Sequence, residues 1–94
     1  MFSNQRYLTK GVQVDIPFEL QLFMWECINH MPEERDYFQV FDLDILDGKQ
    51  HIRHSSEQPE YSQDYMIGFE EPVNQKVYVI DDGDHSTMLL AEEY

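Results

Sequence analysis

YFQVFDLDILDGKQHIR, residues Tyr37 to Arg53, is the stretch whose reading decides the fold. Tyr37, Gln39, Phe41, Leu43 and Ile45 fall on one side of an extended chain, with Phe38, Val40, Asp42 and Asp44 on the other. That two-residue period marks a strand over residues 36–46. Asp47-Gly48 follows, a pair that tolerates the positive φ required at both central positions of a two-residue type I′ turn. Closing the chain there returns Lys49 to Ser55 antiparallel. Leu43 then lies opposite Ile52, Asp42 opposite Arg53 and Asp44 opposite His51, so apolar meets apolar and acid meets base. Such cross-strand pairs are worth about 0.2–1 kcal/mol each, so their agreement identifies the register more than it supplies stability.

Working outward, Arg6 to Val14 reads as a short strand with Gly11 as a bulge. Asp15-Ile16-Pro17 signals a helix start, since Pro suits the first turn and Asp15 and Glu19 suit its positive end. Met31-Pro32 ends the helix near His30. At 100° per residue, Leu20, Phe23, Met24, Cys27, Ile28 and Met31 share one face, the stripe expected to meet a core. Phe18, Leu22 and Trp25 fall on the opposite side, which makes them candidates for a partner or dimer surface. Towards the other end, residues 55–62 read as a loop, 63–69 as a short strand and Lys76 to Ile80 as a strand core. Asp82-Gly83 is a second type I′ signal that puts Val77 opposite Met88, and residues 87–91 read as the returning strand in preference to a helix begun at Asp84 or Ser86. The expected architecture is α+β: a single domain, 1–94, with one main amphipathic helix packed on a mostly antiparallel sheet of four to six strands built from hairpins.

Nineteen Asp and Glu stand against six Lys and Arg, a formal net charge of −13. The first 14 residues hold Arg6 and Lys10 and no acid; all nineteen acids follow. Direct binding to nucleic acid or to anionic membranes is disfavoured, because either would meet like charge. With 14% aromatic residues the chain is too rich in rings for a disordered acidic tail. No leader-like apolar segment and no bilayer-length run occur, and the lone Cys27 has no partner for an internal disulfide. The expected compartment is the cytoplasm.

The acid-rich turns do not read as metal sites. Taking Gly48 as the sixth position of an EF-hand loop puts Leu43 and Ile45 where ligands belong and His54 where a bidentate Glu is needed. His51 and His54, three apart on a strand, point to opposite faces and cannot form one edge of a zinc site. Neither His54-Ser55-Ser56-Glu57 nor Asp84-His85-Ser86 has the spacing of a nucleophilic triad, and no phosphate-cradling glycine loop exists. No catalytic residue, cofactor or metal is expected, and the protein is not expected to be an enzyme.

Several stretches read together as text: Arg6-Tyr7-Leu8-Thr9-Lys10-Gly11-Val12, Tyr37-Phe38-Gln39-Val40-Phe41, His54 to Tyr61, and Val77 to Tyr94. In these the chain resembles a family of small acidic domains of unknown function (domain of unknown function 960) from Gram-positive bacteria and their phages and plasmids. The resemblance implies a stand-alone cytoplasmic protein with a mobile-element origin, and it carries no activity to any residue.

Two functional expectations follow. The first is a protein-binding module whose acidic face, drawn from Asp42, Asp44, Asp47, Asp81, Asp82 and Asp84, engages a basic partner. It would act as a counter-defence inhibitor of a phage or mobile element that mimics nucleic-acid charge. The alternative is a structural or homo-oligomeric accessory protein, a homodimer through Phe18, Leu22 and Trp25.

Overall fold

The computed structural model describes residues 2–94. In chain order the elements are strand β1 (Gln5–Leu8), helices α1 (Lys10–Asp15) and α2 (Phe18–Asn29), strands β2 (Phe38–Leu46), β3 (Lys49–Glu57), β4 (Glu60–Ile67), β5 (Gln75–Asp81) and β6 (His85–Leu90), and a 3₁₀ turn over Ala91–Glu93. The hairpin at Asp47-Gly48 forms with φ of 52° and 73° at the two turn residues. Leu43 pairs with Ile52, Asp42 with Arg53 and Asp44 with His51, the register its sequence prescribes.

The six strands form one sheet in the order β1-β6-β5-β2-β3-β4, antiparallel throughout except for the parallel β1–β6 pair. This corrects the expected α+β body organised around a main helix. Of the described residues, 46% are strand and 23% helical, and the helices are short. Part of the excess strand comes from residues 55–62, where β3 runs on to Glu57 and β4 begins at Glu60 with no open loop between them. The cause is Asp36. Its carboxylate accepts the backbone N–H of Phe38 (3.0 Å) on one oxygen and those of Glu57 (3.3 Å) and Gln58 (2.8 Å) on the other. The start of β2 is thereby fastened to the β3–β4 turn. Burial alone would raise the Asp36 pKa, but these three N–H donors outweigh it and hold the carboxyl below its ordinary value.

The expected strand over residues 6–14 is also corrected. It stops at Leu8 because the Thr9 hydroxyl accepts the Val12 N–H (3.3 Å) and caps α1. Gly11 therefore lies in a helix, not in a bulge. Glu93 reaches over it, accepting from the Thr9 hydroxyl (2.6 Å), the Leu90 N–H (2.8 Å) and the Gly11 N–H (3.2 Å). A Cβ on Gly11 would meet the Glu93 carboxylate at 2.6 Å. In the last hairpin the turn sits one residue later than expected, at Gly83-Asp84, with Gly83 at φ 102° and the Asp82 N–H donating to the His85 carbonyl (3.0 Å). Val77 consequently pairs with Leu90, not Met88. A shift of one residue in the turn moves the partner by two, so every side chain keeps its face.

One face of the sheet carries the core. Phe41, Leu43, Ile52, Val77, Val79, Met88 and Leu90 bury against Val12, Ile16, Leu20, Met24, Cys27 and Ile28, with Phe2 closing one end. Each such side chain contributes about 1.5–3 kcal/mol by leaving water. The helix stripe read from the sequence is the face that packs, and Phe23 meets Tyr65 edge-on at 5.2 Å. Asp36→Ala removes one acceptor from three strand-end donors, and chemical denaturation should register a loss of about 2–4 kcal/mol. An unchanged midpoint would show that the carboxylate does not hold the two hairpins together.

Candidate functional site

β2 and β5 run antiparallel with Phe38 level with Ile80. The Asp47-Gly48 turn lies nine residues further along β2, about 30 Å at the rise of a strand. The two acid-rich turns therefore sit at opposite ends of the sheet. The expected acidic face made of Asp42, Asp44, Asp47, Asp81, Asp82 and Asp84 does not exist as one surface. Most of these carboxylates also have internal duties. Asp81 is buried and accepts the Phe2 N–H (2.6 Å), the Asn4 side-chain amide (3.0 Å) and the Gly83 N–H (2.8 Å). Although burial raises its pKa, these bonds lower it further. Asp82 accepts the N–H groups of Asp84 and His85 (3.1 Å each), and Asp44 lies 2.6 Å from His51 Nδ1. Asp42 faces Lys76 at 3.8 Å across half-exposed space. Among the described residues no group of three or more His, Cys, Asp or Glu is placed to hold a metal ion.

The helix surface divides. Trp25 is not an exposed anchor: only 7% of it reaches solvent, since it belongs to the core cluster and the Arg6 guanidinium lies 4.5 Å above its ring. Arg6 is itself fixed on Asn29 Oδ1 (2.7 Å) and the Phe2 carbonyl (3.1 Å). Phe18 and Leu22 do stand open, 64% and 49% exposed, and Val14 of α1 joins them at 72%. Two shallow hollows flank Phe18. Val14, Asp15, Phe18, Glu71 and Pro72 help to line one, and Pro17, Glu19, Phe69, Glu70 and Glu71 the other, with no Lys or Arg in either. An apolar ridge thus stands inside a rim of four carboxylates. Sequence reading found Phe18 and Leu22 by helical spacing but missed Val14, which it placed in a strand, and Glu70 and Glu71, which reach the ridge only through the fold.

The two histidines of β3 point to opposite faces, as their spacing requires. His51, on the outer face, sits between two carboxylates: Nδ1 is 2.6 Å from Asp44 and Nε2 2.9 Å from Asp64, which Arg53 also holds at 3.0 Å. Both ring nitrogens donate. Asp44 and then Asp64 stabilise the imidazolium and raise its pKa above 6.5. His54 is wholly buried, stacked on Phe41 at 4.3 Å, and Nε2 donates to Gln39 (2.6 Å), whose own amide donates to the Asp36 carbonyl (2.8 Å). Nδ1 has no hydrogen-bond partner. Burial keeps this ring neutral and lowers its pKa to about 4. Cys27 is a core residue whose thiol burial pushes up to about 11, which removes thiolate chemistry at neutral pH.

The outer face of the sheet was the least visible from sequence. Tyr37 is not inward-facing; it precedes β2 and is 56% exposed. Phe38, Tyr78 and Tyr94 form a ring cluster, with centroids 4.8 Å apart for Phe38–Tyr78 and 5.5 Å from each to Tyr94.

The family profile described as "Staphylococcal protein of unknown function (DUF960)" matches residues 5–93. A solved structure described as a protein of unknown function from Enterococcus faecalis has the same fold, with a TM-score of 0.83 at 24% identity over 97% of this chain and 91% of that one. No protein of curated function matches. Among the described residues no helix is long and apolar enough to cross a membrane.

The histidines set opposite pH dependences. The folded pKa of His54 lies below 6.5, so the unfolded chain takes up the proton first, and stability should fall by at most about 3 kcal/mol as pH drops from about 6.5 to about 4. The folded pKa of His51 is raised, so its contribution is complete below 6.5 and is lost as pH rises through the elevated value. Denaturation midpoints followed across pH should lose the upper part of the acid-side slope, just below 6.5, in His54→Gln, while Asp36 and Asp81 keep the slope at lower pH, and should lose the alkaline-side slope in His51→Gln. A variant that keeps the wild-type slope removes the corresponding assignment.

Proposed function

The chain belongs to the DUF960 family, and on that premise we propose that it is a small acidic protein-binding module. It performs no catalysis and acts in the cytoplasm by contact with a basic partner. The observation that carries this reading is the ridge of Val14, Phe18 and Leu22, set among Asp15, Glu19, Glu70 and Glu71, with no Lys or Arg lining the hollows beside Phe18. Exposed aromatic and aliphatic side chains anchor an interface by filling pockets, while a charged rim governs encounter and orientation. The matching surface is an apolar pocket ringed by Lys and Arg, as on proteins that handle nucleic acid.

Charge separates this reading from a homodimer. A two-fold interface on the ridge would press one acidic rim against its copy and join two chains of net charge −13. The same argument moves the reading away from mimicry of nucleic acid by the two Asp-rich turns. Their carboxylates are split between the ends of the sheet, and Asp81 is enclosed.

The test is affinity capture from host lysate with wild type, Phe18→Ala and Leu22→Ala, followed by titration of the recovered partner. Each truncation should weaken binding by about 2 kcal/mol, and binding should fall steeply as salt shortens the screening length from about 10 Å to a few ångströms. Light scattering should give a monomer. Binding indifferent to both truncations and to salt, or a dimer dispersed by Leu22→Glu, would reject the proposal.

A further inference from the structure

An open sheet leaves two edge strands, and here they are β1 and β4. β1 has four residues and runs at once into α1, which keeps its free edge short. β4 extends over eight, Glu60–Ile67, and pairs with β3 one residue to one along its whole length, so no bulge turns it away. Its sequence, EYSQDYMI, holds neither Pro nor Lys, two residues that guard edges elsewhere.

Which of its backbone groups stand open follows from alternation, since successive residues of a strand present their N–H and C=O to opposite neighbours. The Asp81 N–H donates to the Tyr37 carbonyl (2.9 Å), so from Tyr37 onward the odd-numbered residues address β5 and the even-numbered ones β3. Val40, Asp42 and Asp44 therefore bond to Ser55, Arg53 and His51. Ile52, His54 and Ser56 are left to bond to Tyr65, Gln63 and Tyr61 of β4. The N–H and C=O groups of Ser62, Asp64 and Met66 then point outward, where no further strand lies, and their side chains are exposed as well.

The charge at this edge has one sign. Residues 54–75 hold Glu57, Glu60, Asp64, Glu70 and Glu71 and no Lys or Arg. Asp64 is engaged by Arg53 and His51 of β3, but none of the ion pairs among the described residues involves Glu60, Glu70 or Glu71. A second copy would bring its own acids and a further net charge of −13 to the same line, which repels it. A cationic strand meets the opposite situation, so acids that guard the edge against its own kind admit a basic one. Half-buried Tyr61 and Tyr65 lie on one face of β4 and exposed Glu60 and Asp64 on the other, which suits a partner strand of alternating apolar and basic residues.

We propose that β4 receives an extended basic segment of a partner protein as a further strand of the sheet, held by main-chain bonds at Ser62, Asp64 and Met66 and selected for charge by Glu60, Glu70 and Glu71. The inference rests on the reading of the chain as a protein-binding module, and it assigns a contact to an edge that the ridge of Val14, Phe18 and Leu22 does not include.

The experiment is amide hydrogen exchange read residue by residue by NMR, with a synthetic peptide of alternating Lys and Val as the probe and one of alternating Glu and Val as its control. At millimolar concentration the basic peptide should slow exchange at Ser62, Asp64 and Met66 by about tenfold, whereas Gln63 and Tyr65, already bonded to β3, should change little. That every-other-residue signature separates strand addition from mere attraction to an acidic surface. Ser62→Pro deletes an outward N–H without touching the β3 ladder and should abolish the protection, while Ser62→Ala and Phe18→Ala should leave it intact. If Ser62→Pro does not fold, Ser62→Lys decides, since like charge should weaken the basic peptide by about threefold. No protection at millimolar peptide, equal protection by the acidic peptide, protection that rises with protein concentration alone, or loss of protection in Phe18→Ala would overturn the proposal. Because Phe18→Ala reads the ridge and Ser62→Pro the edge, failure here is distinct from failure of the ridge reading.

Discussion

A sheet with alternating side chains has two faces, and a chain of 94 residues has helix enough to cover only one. That constraint organises the molecule. Phe41, Leu43, Ile52, Val77, Val79, Met88 and Leu90 take the covered side, and α1 and α2 supply the apolar stripe that closes over them. The side chains between them in sequence, Phe38, Val40, Asp42, Lys76 and Tyr78, are left at a surface that must be compatible with water and still hold strands together. The ridge of Val14, Phe18 and Leu22 is a product of this arrangement, being what remains of α1 and α2 after their inward stripe is used.

The acidity has a structural share that composition conceals. Asp36 fastens one hairpin to the next, Asp81 receives the N-terminal segment, Asp82 shapes the last turn, and Glu93 joins the 3₁₀ turn to the first helix. In each case a carboxylate accepts several donors, most of them backbone N–H groups that would otherwise go unpaired at strand and helix ends. Such anions are stabilised locally even as they add to the repulsion of the whole. Around Phe18 only Asp15 is engaged among the four acids, by a single long bond from the Gln75 side-chain amide (3.4 Å), which is why the binding reading rests on this rim and not on the Asp-rich turns.

Legibility followed sequence separation. The β2–β3 hairpin was readable to the residue because turn chemistry, alternation and charge pairing all act within about a dozen positions. The inward stripe of α2 was readable for the same reason. What could not be read depended on distant groups: Asp36 lengthening β3 and β4 from more than twenty residues away, Glu93 reaching Gly11, and Arg6 covering Trp25. Residues 6–14 misled because Tyr7, Thr9 and Val12 favour strands, while the deciding contact was a single hydroxyl cap on Val12. The acidic face failed on geometry, since spacing along the chain does not reveal which end of a sheet a turn occupies.

The parallel pairing of β1 with β6 joins Gln5 to His85, eighty positions apart, whereas β2 meets β3 across two residues. Closing so long a loop carries a large entropic penalty before any contact repays it, so the N-terminal strand is the element expected to dock last as the chain folds. Arg6 travels with that strand, and until it arrives the indole of Trp25 stays uncovered. Indole fluorescence therefore reports completion of assembly in this molecule, not its beginning.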